Sequence, residues 1–227
     1  MSSLSALVFD AYGTLFDVHG VAVRADALVP RHGADLAKLW RAKQLEYSWL
    51  SGLMAAPGHA RPDFAEVTAM ALDYAVAALV LPLDRSARDE LVREYERLPP
   101  YGDARAALEA LAPRPRWILS NGTHAMLDPL LAAAGLDDVV DGVISVDEAG
   151  SYKPSPTVYA LAVERLGLAP ASIAFVSANG WDAAGAQAFG FTAIWVNRAE
   201  MPVERHAPPP AFTVGSLAEV AAIVNGA

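Results

Sequence analysis

Short apolar runs, each closed by a polar or glycine-containing turn, restrict what this chain can fold into more than any other feature. They fall at residues 4–9, 117–119, 143–146, 173–176 and 192–196. Strands that face solvent on one side alternate apolar with polar residues, whereas these runs are apolar almost throughout and read as strands covered on both faces, the mark of a parallel sheet. Helical patterns lie between them at residues 125–134, 157–166 and 182–189. Strand and helix therefore alternate, and the sequence predicts an α/β fold with a Rossmann-like, doubly wound parallel sheet at its core. Ligands of such sheets bind beyond the carboxyl ends of the strands.

The first run stands far from the second, and the stretch between them carries helical patterns with no convincing strand. A helical insertion is the simplest reading. The segment 36–50 puts Leu36, Trp40, Lys43 and Tyr47 along one line of a helix and Arg41, Leu45 and Ser48 or Trp49 along the next, so Arg41 shares a face with Leu45. Pro57-Gly58-His59-Ala60-Arg61-Pro62 reads as a helix break, Pro99-Pro100-Tyr101-Gly102 as the return into the core, and Pro208-Pro209-Pro210 as a stiff approach to a final strand and helix. The expected organisation is a core of residues 1–17 and 99–227 with a helical cap domain at 18–98.

Composition narrows the chemistry. With 54% hydrophobic and 19% charged residues in 227, the chain can bury a sizeable core. Its longest stretch without a charge, residues 166–181, is shorter than the roughly 20 residues of a spanning helix and is broken by Gly and Pro. No membrane partner is expected. The start Met1-Ser2-Ser3-Leu4-Ser5-Ala6 has no basic patch followed by a long apolar region, so a cytoplasmic location is the default. The absence of cysteine removes disulfides, thiolate metal sites and cysteine nucleophiles, and the net charge of -9 opposes attraction to nucleic acid. A small molecule is the expected partner. His19, His32, His59, His124 and His206 make no paired metal-ligand spacing, so no metal is assigned to them, and no Gly-x-Ser-x-Gly elbow occurs.

Four polar clusters follow the strand-like runs: Asp10-Ala11-Tyr12-Gly13-Thr14-Leu15, Ser120-Asn121-Gly122, Lys153-Pro154 and Ser177-Ala178-Asn179-Gly180-Trp181-Asp182. All would meet at one sheet edge. Taken singly, each has a plainer reading: Asp10, Gly13 and Thr14 as turn formers, Lys153 as a surface lysine, Asp182 as a helix cap, Trp181 as a core aromatic. Taken in order, the set resembles the haloacid dehalogenase superfamily, and its details are similar to the 2-haloacid dehalogenase branch. Trp40-Arg41, Lys43-Gln44-Leu45-Glu46-Tyr47 and Trp195-Val196-Asn197-Arg198 extend the likeness over nearly the whole chain.

The resemblance implies hydrolysis of a carbon–halide bond in a short L-2-haloalkanoic acid, giving the D-2-hydroxy acid through an ester on Asp10. Lys153 would hold Asp10 ionised and Thr14 would fix it. Arg41 and Asn121 would receive the halide, with Trp181 as an aromatic wall. Ser120 and the turn amides of Ala11 and Tyr12 would bind the substrate carboxylate, while Tyr12, Leu45 and, most weakly, Phe64 would meet its alkyl part. Asp182 would either activate the hydrolytic water or orient Lys153. Asn179 would position that water, and Ser177 and Tyr159 would support the ion-pair network. No cofactor is expected, the partners are a 2-halocarboxylate and the halide, and relatives suggest a homodimer.

Magnesium-dependent phosphatases on the same core are the main alternative. They carry a second Asp two residues after the nucleophile, where this chain has Tyr12, and acidic ligands in the last loop, where it has Ser177 and Asn179. A hard cation prefers carboxylate oxygens, so the change disfavours it. A halide leaves as a stable anion and needs no general acid. A hydrolase of some other 2-substituted acid and a binding protein without turnover are the remaining readings.

Overall fold

The structure, a computed structural model, describes residues 4–56 and 60–226. Met1-Ser2-Ser3, Pro57-Gly58-His59 of the expected helix break, and Ala227 lie outside the described residues. In chain order the elements are β1 (Ala6–Phe9), α1 (Gly20–Leu28), α2 (Gly33–Met54), α3 (Phe64–Ala78), α4 (Arg85–Arg93), α5 (Ala104–Ala110), β2 (Arg116–Ser120), α6 (His124–Ala134), β3 (Gly142–Ser145), α7 (Pro156–Leu166), β4 (Ile173–Ser177), α8 (Gly180–Phe189), β5 (Thr192–Val196), β6 (Phe212–Val214) and α9 (Val220–Gly226). The strand-like runs become strands within a residue or two. Val146 departs, opening a 3-10 turn in place of extending β3, and α5 is a helix that the sequence reading does not single out.

Among the described residues the strands form one six-stranded sheet in the order β3-β2-β1-β4-β5-β6, and every pairing is parallel. All residues of β1 and β4 are buried, as two-sided coverage requires. The chain runs outward from β1 through β2 to β3, then crosses back to lay β4 on the other side of β1. The winding direction thus reverses between β1 and β4, and the helices leaving their carboxyl ends part there to open a crevice. Asp10 stands in it, its amide donating to Val176 O at 2.9 Å.

Helices α1 to α4 lie between β1 and β2 in sequence and pack on one another through Leu36, Trp40, Phe64, Val67, Leu72 and Leu91, all buried. Trp40 Nε1 donates to Thr68 O at 2.8 Å, joining α2 to α3. Asp63 starts α3 with a reciprocal capping box to Glu66, which fixes where the chain turns after the Pro-rich break. The neck of the insertion is short and paired: Asp17 N donates to Pro99 O at 2.9 Å and Tyr101 N to Leu15 O at 2.8 Å. No helix among the described residues is long and apolar enough to cross a membrane.

Candidate active site

Asp10 follows β1 directly, and the chain then turns sharply through Gly13, whose φ of 89° is open to glycine at little cost. That turn brings Thr14 back over the carboxylate. Thr14 Oγ1 donates to Asp10 Oδ2 at 2.8 Å, and Asn179 Nδ2, from the residue that starts α8, donates to the same oxygen at 2.9 Å. Lys153 comes from the loop between β3 and α7, and its Nζ lies 3.0 Å from Asp10 Oδ1 and 3.0 Å from Asp182 Oδ2. Asp182, in the first turn of α8, also accepts from Tyr159 OH at 2.8 Å. Asp10, Lys153 and Asp182 are all buried. One ammonium therefore holds two carboxylates away from water.

Burial opposes the charge on Lys153, but attraction to Asp10 and Asp182, with their hydrogen bonds, outweighs it and raises the ammonium's pKa. Burial acts the other way on Asp182. It pushes that carboxyl up to about 6, with Lys153 pulling it down and Asp10 pushing it up.

A stability signature follows from this shift. An unfolded Asp182 ionises near 3.8 and the folded one near 6, so between those values the unfolded chain has lost a proton that the native chain retains. Asp182's contribution is then fully present below pH 3.8 and lost as pH rises through 6. Urea denaturation of the wild type should show this loss, up to about 3 kcal/mol, as a falling component of stability that Asp182→Asn lacks. Parallel stability-against-pH curves for the two proteins would contradict the shift.

The sequence-predicted residues gather around this triad. Ser120 ends β2 and accepts from Gly122 N at 3.1 Å, and Asn121 Oδ1 accepts from Lys153 N at 3.1 Å, tying the β2 loop to the lysine loop. Ser177 ends β4, and its hydroxyl oxygen accepts from Asn179 N at 3.1 Å, bracing the loop whose Asn179 side chain bonds Asp10. Tyr12 is buried beside Phe64 and Tyr95, with ring centroids 5.9 Å apart in each pair. Its hydroxyl is buried without a hydrogen-bond partner among the described residues, and burial raises its pKa, keeping it a neutral donor. Arg41, Leu45, Gly13, Asn179 and Trp181 line one cleft of about 780 Å³. Arg41 makes no ion pair among the described residues. Trp181 meets Trp49 edge-on, at 5.4 Å and 78°.

Some of what holds the site together is not assigned by sequence reasoning. On α2 the buried line is Leu36, Trp40, Gln44, Ser48 and Ser51; Lys43, which shares the turn geometry of Leu36 and Trp40, instead swings out to Glu46 at 2.9 Å. Gln44 is the residue that aims Arg41. Its Oε1 accepts from the guanidinium at 2.6 Å while its Nε2 donates to Thr68 Oγ1 at 2.7 Å. The available signal is an amide three residues after Arg41, in line with Leu36 and Trp40. Gly122 is needed because a Cβ there would stand 2.9 Å from Tyr12 Cε2. Arg198 pairs with Asp103 through both guanidinium nitrogens at 3.1 Å and reaches Thr14 O at 3.4 Å.

Residues 4–190 match the haloacid dehalogenase-like hydrolases. The chain belongs to that family. It is 42% identical to an (S)-2-haloacid dehalogenase of Xanthobacter autotrophicus, over 98% of this chain and 96% of that one. It is 40% identical to haloacetate dehalogenase H-2 of a Moraxella species, over 94% and 95% of the two chains. A solved structure of the Xanthobacter L-2-haloacid dehalogenase with chloropropionic acid covalently bound superposes with a TM-score of 0.92, at 42% identity, covering 98% of this chain and 99% of that one.

Many members of this family use Mg²⁺ on the same core, and the donor set here does not fit it. Asn179 Nδ2 donates both to Asp10 Oδ2 and, at 3.0 Å, to Tyr12 O, so hydrogen-bond donors already occupy oxygens that a cation would need. Among the described residues no three His, Asp or Glu side chains group as metal ligands.

Proposed function

We propose that this protein hydrolyses short L-2-haloalkanoic acids to D-2-hydroxyalkanoic acids, with Asp10 as the nucleophile. The reading is carried by one observation: a buried carboxylate at the sheet's switch point, bonded to Lys153, Thr14 and Asn179, in a chain closely similar to an enzyme that holds chloropropionic acid covalently.

A carboxylate is a weak nucleophile in water because its lone pairs are hydrated. Buried beside Lys153, Asp10 faces a cation at 3.0 Å with little water around it; two opposite unit charges about 4 Å apart at an effective dielectric near 20 attract by roughly 4 kcal/mol before desolvation is subtracted. Asp10 attacks C2 from behind, the C2–halogen bond breaks, and the halide leaves with the bonding electrons toward Arg41, Asn121 and Trp181. A guanidinium suits that task because it stays charged in a partly dry cleft and presents several donors. The substrate carboxylate is held by Ser120, the amides of Ala11 and Tyr12, and the spare Tyr12 hydroxyl. Leu45, Phe64 and the Tyr12 ring enclose the alkyl group. Water then attacks the Asp10 carbonyl carbon and frees the hydroxy acid.

The helical insertion, residues 18–98, acts as a cap that brings Arg41 and Leu45 over the core formed by residues 1–17 and 99–227. Exposed Leu50, Leu53, Met54 and Met70 on that insertion support a homodimer, and the cytoplasm is the expected location.

Displacement from behind inverts C2. L-2-Chloropropionate should therefore release chloride and yield D-lactate, with or without EDTA, while the D substrate reacts poorly. Chiral chromatography of the product checks this, and retention of configuration would rule out a single displacement. Mg²⁺-dependent release of phosphate, without halide release, would favour the phosphatase alternative.

A further inference from the structure

Arg41 and Leu45 share one line of α2, and that line continues at the same four-residue spacing through Trp49 to Leu53. The structure divides it between two clefts. Arg41 and Leu45 line the active-site cleft, whereas Trp49 and Leu53 line a second one of about 760 Å³, large enough to hold a whole small molecule. Tyr152 and Pro154, on either side of Lys153, form part of its wall, so the second cleft lies against the loop that carries the lysine. Trp181 lines both clefts. Its ring meets Trp49 edge-on, with centroids 5.4 Å apart, and this pair stands where one cleft gives way to the other.

Gly52 leaves the second cleft open. Glycine inside a helix lowers stability relative to alanine, and no clash requires it here, since a Cβ would meet Ser151 Oγ and Tyr152 N at 3.7 Å, an ordinary contact. What a larger side chain would take away is room in the cleft. Leu45, the alkyl contact of the proposed reaction, lies one helical turn before Trp49. A longer alkyl tail laid along α2 therefore meets the Trp49 ring before it reaches the space beyond. We infer that Trp49, held against Trp181, is a specificity-determining residue that limits the substrate to short chains, and that the cleft behind it fits the alkyl tail of a longer 2-haloalkanoic acid. This rests on the dehalogenase reading above. Each methylene moved from water into an apolar cleft is worth roughly fourfold in affinity, and Trp49 withholds that gain from long substrates.

Bromide release from L-2-bromopropionate and L-2-bromooctanoate tests the limit. In the wild type, kcat/KM for the octanoate should be lower by roughly tenfold or more. Trp49→Ala should raise that value by roughly 30-fold, the worth of burying two or three methylenes, while kcat/KM for the propionate stays within about threefold. Trp49 is 37% exposed, so truncating it should leave the protein folded. Trp49→Phe, which keeps a ring against Trp181, should resemble the wild type. Adding Gly52→Leu to Trp49→Ala refills the cleft and should remove most of the gain on the octanoate without changing the propionate. Three results would each overturn the inference: a wild type that turns over both substrates equally well, a Trp49→Ala effect of the same size on both, or a gain on the octanoate that survives Gly52→Leu. Failure of the underlying reading looks different: neither the wild type nor any variant would release bromide from the propionate.

Discussion

Replacing Asp10 by Asn should lower halide release by at least roughly 10⁴-fold, as loss of a nucleophile does elsewhere, while leaving the protein folded. The exchange nearly preserves shape, and an amide oxygen can still accept from Thr14 and Asn179. It removes the negative charge and the attacking lone pair together. Circular dichroism and a urea melt establish that the variant is folded, and intact-mass measurement guards against deamidation back to Asp. Wild-type turnover by a folded, undeamidated Asp10→Asn protein would remove Asp10 from the mechanism.

Lys153→Met should be nearly as damaging to turnover and far more damaging to the fold. Lys153 is 1% exposed and is the cation shared by Asp10 and Asp182. Met fills much of its volume but leaves two buried carboxylates facing each other without a counter-charge, and breaking a buried ion pair in this way typically costs about 3–5 kcal/mol. Turnover should fall by roughly 10³-fold or more, since the attacking carboxylate has lost the cation that faces it at 3.0 Å. Adding Asp182→Asn should recover part of the lost stability and none of the activity. A double variant no more stable than Lys153→Met alone would mean that carboxylate repulsion is not what destabilises it.

Strands β1 to β5 are legible because a strand covered on both faces is apolar through consecutive residues: β5 occupies the residues expected of it, 192–196. The order of strands is not written there. It depends on β4 pairing with β1 across a long chain separation, which no local pattern encodes. Asp10, Lys153 and Asp182 are legible as polar residues at strand ends, in a fold that gathers strand ends together. What escaped were residues whose importance lies in a partner far away in sequence. Gln44 stands between Arg41 and Thr68, and Thr68 lies on another helix where no local pattern places it beside Gln44. Ser177 is expected to support the ion-pair network, and its hydroxyl accepts from the backbone amide of Asn179, whose side chain donates to Asp10. The helix α5 went unmarked because Ala-rich sequence between two turns carries little periodicity. The inequality of the two Asp10 oxygens could not be read at all, since it exists only once Thr14, Asn179 and Lys153 have converged.

The origin of the product's hydroxyl oxygen tests the central claim most directly. With enzyme in excess over L-2-chloropropionate in ¹⁸O-water, a single turnover through the ester transfers one carboxylate oxygen of Asp10 to the product, so the lactate should remain largely unlabelled and one ¹⁸O should appear in the peptide containing Asp10. Prompt labelling of the lactate, with none in that peptide, would mean that water attacks C2 itself and that Asp10 serves as a base.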